Sequence, residues 1–135
     1  MNKNKYTIEL VEYWQTKSRE CLESAASELD AGRLAFAVNR LYYAMFYMIT
    51  AALAIKGKQL GKHSAVRSTF HMDFVKTEII DKSFGRLYDE LFHARHQGDY
   101  LPLADFEDSV VRQQLEDVKN FFGFFNAIIK KMLSE

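Results

Sequence analysis

Six consecutive residues near position 95 combine side chains that can bind an anion or transfer a proton. The segment Arg95-His96-Gln97-Gly98-Asp99-Tyr100 holds a guanidinium, an imidazole, a carboxylate and a phenol. Arg95 shares the inward stripe of a predicted helix with three apolar residues at helical spacing, Phe84, Tyr88 and Leu91. An unpaired charge there is costly, and Asp99 is the nearest predicted partner. The segment is therefore either a ligand site or an arginine clamp at a helix end.

A second arginine interrupts the most apolar part of the chain. Arg40 is the one formal charge between Arg33 and Lys56, and it shares a helix face with the Tyr43 ring. It can stack on aromatic rings, pair with an acid on a neighbouring helix or bind a phosphate. We place Arg40 and Tyr43 with Arg95, Asp99 and Tyr100 as candidate ligand-binding residues.

The histidines raise the possibility of a metal site. Glu90-x-x-His93 has the spacing of the helical motif used by di-iron bundles, and His96 follows one turn later. Such bundles need two of these motifs and two further glutamates on facing helices. This sequence has one motif, so we predict no bound metal and no other cofactor.

A run of basic residues follows the apolar stretch. Its members have no acid between them: Lys56, Lys58, Lys62, His63 and Arg67. The run can contact phosphates, or it can be a solvated loop and helix start, which is the interpretation we favour. The single cysteine, Cys21, lies on an apolar stripe and is predicted to be inert.

Helices must position all of these groups, because the chain has one proline and six glycines and its apolar residues recur at helical spacing. The predicted helices cover residues 7–31, 33–56, 64–75 and 83–98, with a last helix that begins near 105–108. Ser64 is predicted to cap the third helix, and both Ile79 and Ile80 to point inward. In the last helix, Phe121, Phe124 and Ile128 are predicted to widen the buried face. These elements predict an all-α fold, an antiparallel up-and-down bundle of four to five helices, in one domain over residues 1–135.

Composition restricts the classes of partner. The formal net charge is zero, so nothing global attracts nucleic acid or anionic lipid. The N-terminus lacks the apolar stretch of a signal peptide. The longest uncharged run, Leu41–Ile55, is shorter than the ~20 residues that span a bilayer. We therefore expect a cytoplasmic protein without a membrane segment, and we interpret this run as a buried core helix.

Several short motifs, taken together, resemble a known family. They are Asn39-Arg40-Leu41-Tyr42-Tyr43-Ala44-Met45-Phe46-Tyr47, Lys62-His63-Ser64, Phe70-x-x-x-Phe74-Val75 and Arg95-x-x-Gly98-Asp99-Tyr100. In order and spacing the chain resembles a HEPN domain, closest to the small stand-alone prokaryotic members. The resemblance implies a helical bundle that dimerises and works around RNA or nucleotides. Many such proteins are metal-independent ribonuclease toxins paired with a small nucleotidyltransferase-like antitoxin.

The resemblance also implies an active site that this sequence departs from. Family ribonucleases use an arginine followed, after four to six residues, by a histidine. Counting from Arg95, those positions hold Tyr100, Leu101 and Pro102, and His96 is adjacent instead. Tyrosine, with a reference pKa of ~10, is a poor general base.

Three hypotheses follow. The first is a homodimer that binds RNA or a nucleotide through Arg95, Asp99 and Tyr100, with a nucleotidyltransferase-like partner. The second is an active ribonuclease using Arg95 with His96 or Tyr100 as catalytic residues. The third is a structural interaction module in which Arg95 and Asp99 clamp a helix end. The homodimer is expected because the second and last helices carry more aromatic surface than one bundle needs.

Overall fold

The computed structural model describes residues 4–100 and 105–135, with Tyr100 described by its backbone alone. The described chain contains no strand. Its five α-helices are α1 (Lys5–Asp30), α2 (Leu34–Ile55), α3 (His63–Phe70), α4 (Lys82–Tyr100) and α5 (Asp108–Ser134). A π-helical turn, His71–Val75, continues α3. The predicted all-α helical bundle is confirmed.

Helix α2 is the centre of the bundle. Its residues are apolar nearly all round, and α1, α3, α4 and α5 all pack against it. Its buried side chains join those of the other helices in one hydrophobic core. By length and composition α2 could also cross a membrane, but 56% of its most apolar window is buried inside the protein. The prediction that Leu41–Ile55 forms a core helix is confirmed.

Side-chain contacts show that α2 runs antiparallel to α1. Trp14 stacks on Tyr47 with 5.3 Å between ring centroids. The Ser18 hydroxyl donates to the Ala44 carbonyl oxygen over 2.6 Å. Because residue numbers fall along α1 as they rise along α2, the short connection at 31–33 reverses the chain. Helices α2 and α4 are also antiparallel, because Asn39 contacts Asp99 and Tyr42 contacts Tyr88.

The third helix differs from its prediction. We expected one α-helix over 64–75 with Ser64 as its cap. Instead α3 begins at His63 after an N-cap at Lys62 whose side chain makes no capping bond, and it ends at Phe70. The wider π-helical turn then places His71 and Val75 against Gly85 of α4. A side chain at Gly85 would meet both residues, so the glycine makes this close approach possible.

Other local predictions were wrong at the surface. Ile80 is buried but Ile79 is 51% exposed, because Glu78 adopts a left-handed conformation that turns the chain between helices. Phe121 lies in the core, whereas Phe124 is 63% exposed. Helix α4 continues to Tyr100, and the predicted break at Pro102 lies outside the described residues.

Candidate functional site

Arg95 lies where α4 passes α2. The guanidinium carbon is 4.9 Å from the centroid of the Tyr42 ring and 5.9 Å from that of Tyr43. The side chain is 14% exposed. The arginine is therefore held over aromatic faces on the inward stripe of α4, as its spacing predicts, and Tyr43 lies beside it.

The ion pair of Arg95 is loose. Arg95 Nη1 lies 3.5 Å from Asp99 Oδ2, longer than the ~2.7–2.9 Å of a close charge-assisted hydrogen bond. Arg95 Nε is buried and has no hydrogen-bond partner among the described residues. A buried donor without an acceptor destabilises the folded protein. Asp99 therefore satisfies Arg95 only in part.

Asn39 connects Arg40 to the Asp99 carboxylate that pairs with Arg95. Its amide Nδ2 donates to Asp99 Oδ2 over 3.2 Å, and its Oδ1 accepts from Arg40 Nη1 over 2.7 Å. Arg40 Nε also donates to the Ser24 hydroxyl over 3.2 Å. Arg40 thus joins the Arg95 cluster through Asn39, and its described partners are neutral rather than the acid we had considered.

A histidine enters this cluster from α3. His63 Nδ1 and the Tyr42 hydroxyl share a hydrogen bond of 2.8 Å, and the His63 ring stacks on Phe46 with 4.4 Å between centroids. Burial, assisted by the charge of Arg95, lowers the pKa of His63 below its usual 6.5. The imidazole is therefore neutral at pH 7, and its Nε2 makes no hydrogen bond within the described chain.

Sequence reasoning missed this position. His63 is predicted from the sequence to be part of a solvated basic run, but in the structure the residues of that run have different partners. Lys56 and Lys58 both bind Asp73, over 3.1 and 2.8 Å, and Arg67 binds Asp89. The available signal was Lys62-His63-Ser64, which formed part of the family resemblance but received no role.

The remaining sequence candidates are less informative. His96 is exposed on α4. The side chain of Tyr100 lies outside the described residues, so its candidate role stays a prediction. Glu90 accepts a hydrogen bond from Gln114 over 3.1 Å, and His93 is exposed. Among residues 4–100 and 105–135, no group of three or more His, Cys, Asp or Glu side chains is placed to hold a metal ion.

We call the cluster of side chains around this arginine the Arg95 site; its members are Arg95, Asp99, Asn39, Tyr42, Tyr43 and His63. Their chemistry suits an anion that lies beside a flat ring. A guanidinium offers planar paired donors to a phosphate. A neutral imidazole adds either a donor or an acceptor, depending on its tautomer. Aromatic faces accept a base or a cation. The arrangement therefore combines groups that can contact an anion with groups that can contact a planar ring.

Comparison with known proteins gives the same family as the sequence motifs. The HEPN domain family matches residues 11–128. A UPF0332 protein of Thermotoga maritima is 38% identical over 91% of this chain and 93% of its own length. A Methanocaldococcus jannaschii protein named "Putative toxin MJ0142" is 33% identical over 62% of this chain and 57% of its own. A UPF0332 protein of Pyrococcus horikoshii is 35% identical over 58% and 53%.

The family match covers α2, α3 and α4 completely and most of α1 and α5. It therefore includes every residue of the Arg95 site. The Thermotoga maritima relative extends the likeness over nearly the whole length of both chains. The chain belongs to the HEPN domain family.

Proposed function

We propose that this protein binds the phosphate groups of RNA or of a nucleotide at the Arg95 site. The observation that carries the proposal is the loosely paired Arg95 guanidinium, held over Tyr42 and Tyr43 with a 3.5 Å contact to Asp99. A phosphate can accept the donors that Asp99 leaves unfilled. The half-buried Tyr43 ring offers a surface on which a base can stack.

The proposal includes an assembly. We expect a two-fold homodimer, because Phe36 is 57% exposed and Tyr13 51% exposed, and exposed apolar surface commonly marks a partner site. The relative that carries the name "Putative toxin MJ0142" supports a role in a toxin–antitoxin or defence pair. A nucleotidyltransferase-like protein is the partner that the family resemblance implies. We place the protein in the cytoplasm, as a soluble dimer.

A metal-independent ribonuclease is the second candidate, and His63 is the observation that favours it. The sequence offered no histidine at the family spacing from Arg95, yet α3 brings one onto the Tyr42 ring that Arg95 also contacts. If Nδ1 carries the proton, Nε2 is free to accept one from a ribose hydroxyl. If Nε2 carries the proton, His63 is a neutral donor to phosphate and the site only binds.

Binding is tested by fluorescence anisotropy with labelled single-stranded RNA and with a labelled nucleoside monophosphate. We expect Arg95→Met to lose at least ~10-fold in affinity and Arg95→Lys to recover little, because lysine lacks the planar fork. Arg19→Ala is the matched control, since Arg19 is exposed on α1, which packs against α2 and α5. Wild-type affinity in Arg95→Met would contradict the proposal.

Cleavage is tested separately, by incubating the same RNA with EDTA present. Products from the wild type that disappear in both Arg95→Met and His63→Gln would establish the ribonuclease. Binding without products would leave the binding function. The tautomer of His63, measured by ¹⁵N NMR, gives an independent readout of which nitrogen is protonated.

A further inference from the structure

The face of α3 beside α4 carries basic groups at a regular interval. His63, Arg67 and His71 are spaced four residues apart, which puts them on one side of α3 and its π-helical continuation. Arg95, Phe92 and Asp89 of α4 lie along the same seam, and Tyr42 of α2 contacts both His63 and Arg95. The His63 ring contacts Tyr42 beside Arg95, Arg67 lies 4.9 Å over the Phe92 ring, and His71 contacts Asp89. The seam between α3 and α4 therefore leads away from the Arg95 site.

An open cleft lies at the far end of this seam. Its volume is about 580 Å³, and Arg67, Ser68, His71, Lys76 and Asp89 supply its polar lining. Among the described residues of the lining, Asp89 is the single acid, against two permanent cations, Arg67 and Lys76. The cleft is thus basic in balance although the whole chain is neutral.

Arg67 keeps donors available in this cleft. Its Nε donates to Asp89 Oδ1 over 2.7 Å, and the same oxygen contacts His71 Nε2 at 2.8 Å. The terminal nitrogens of Arg67 donate no other hydrogen bond within the described residues, and the side chain is 33% exposed. Asp89 therefore fixes the orientation of the guanidinium while its outer edge stays open to an anion.

We propose that this cleft is a second phosphate-binding site, formed by Arg67 and Lys76. It would bind a single-stranded RNA that has another phosphate at the Arg95 site, and we call the two phosphate-binding sites the first and second seats. The proposal rests on the proposed function. Asp89 and Arg95 are six residues apart on α4, or ~9 Å along its axis. One phosphate group cannot fill both seats, so the pair selects an oligonucleotide over a mononucleotide. Phe92, half-buried between them, offers a ring along the path.

The test compares a labelled hexanucleotide with a labelled nucleoside monophosphate over a range of salt concentrations. Lys76 is exposed, so Lys76→Ala probes the seat without disturbing the core. We expect this variant to bind the hexanucleotide ~3-fold more weakly and to lower the salt slope of log K by ~0.7, the loss of one phosphate contact. Mononucleotide affinity should not change. Arg19→Ala, with the same change in charge, should alter neither ligand.

A second variant is expected to increase the affinity for the hexanucleotide. Asp89→Asn removes the competing carboxylate and should tighten hexanucleotide binding, with folding checked by circular dichroism. Hexanucleotide binding that neither Lys76→Ala nor Asp89→Asn changes would overturn the second seat while leaving the Arg95 site intact. Equal losses for both ligands in Lys76→Ala would overturn it as well. No binding of either ligand by the wild type would overturn both proposals.

Discussion

Arg95 and Arg67 occupy comparable positions with different partners. Each guanidinium carbon lies 4.9 Å over an aromatic ring, that of Tyr42 or that of Phe92. Arg67 donates from Nε to Asp89 over 2.7 Å, whereas the closest approach of Arg95 to Asp99 is 3.5 Å and its Nε has no partner. Arg67 is also more exposed, at 33% against 14%.

The difference predicts unequal contributions of the two ion pairs to the stability of the fold. Asp89 accepts hydrogen bonds from Arg67 and His71 and so joins α3 and its π-helical turn to α4. This ion pair therefore stabilises the fold. Asp99 also accepts a hydrogen bond from Asn39, and it leaves Arg95 Nε without an acceptor. A buried donor without an acceptor lowers the free energy of unfolding. Groups that are poorly satisfied in the folded protein commonly belong to binding sites. The comparison therefore predicts that the Arg67–Asp89 pair contributes more to stability than the Arg95–Asp99 pair does.

The largest expected loss of stability comes from Asp89→Ala. Both Arg67 and His71 lose their acceptor, and we expect the free energy of unfolding at pH 7 to fall by ~1–2 kcal/mol, a range that allows for partial exposure. Urea denaturation followed by circular dichroism measures it. Unchanged stability would contradict the structural role.

The same substitution has an expected pH dependence. Burial alone would raise the pKa of Asp89, but hydrogen bonds from Arg67 and His71 outweigh it and hold the pKa below its usual 3.8. The stabilisation is therefore present above pH 3.8 and disappears as the pH falls through the lower folded-state value. Wild type and Asp89→Ala should become equally stable in acid.

The next effect is expected at Gly85, where an added Cβ would lie 3.0 Å from His71 Cε1 and 3.1 Å from Val75 Cγ1. We expect Gly85→Ala to lower the free energy of unfolding by ~1 kcal/mol, because crowding exceeds the helix-propensity gain of alanine. Gly123→Ala is the control, since nothing lies within 4 Å of its added Cβ, and it should stabilise α5. Stabilisation by both variants would show that the contact at Gly85 is unimportant.

The sequence predicted long-range architecture better than local side-chain placement. Helical periodicity located α1, α2, α4 and α5, because a helix that buries one face must repeat its apolar residues at that spacing. It also predicted the helix at α3, but not that its last turn, His71–Val75, is π-helical. It predicted Asp99 as the partner of Arg95 but did not predict that Tyr43 lies beside Arg95. It missed His63, since the contact of His63 with Tyr42 joins residues from different helices.

A smaller effect is expected from the titration of His63. Burial and the charge of Arg95 lower its pKa in the folded protein. Its contribution to stability is therefore present above the unfolded-state pKa of ~6.5 and is lost as the pH falls towards the folded-state value. We expect the stability difference between wild type and His63→Gln to shrink between about pH 7 and pH 5. Thermal unfolding at each pH measures this difference, and a constant value would contradict the lowered pKa.

The smallest expected change in stability comes from Arg95→Met, the variant with the largest expected change in binding. Methionine keeps the apolar stem over Tyr42 and removes a buried nitrogen that has no acceptor. Asp99 retains the amide of Asn39 and partial exposure to water. Replacing such a weakly paired charge by an apolar side chain should change the free energy of unfolding by less than ~0.5 kcal/mol. Arg67→Met, measured in parallel, should cost ~1 kcal/mol because Asp89 loses a close donor. If Arg95→Met proves the more destabilising of the two in urea denaturation, Arg95 and Asp99 act as a structural clamp, and the assignment of binding to Arg95 would have to rest on RNA titrations alone.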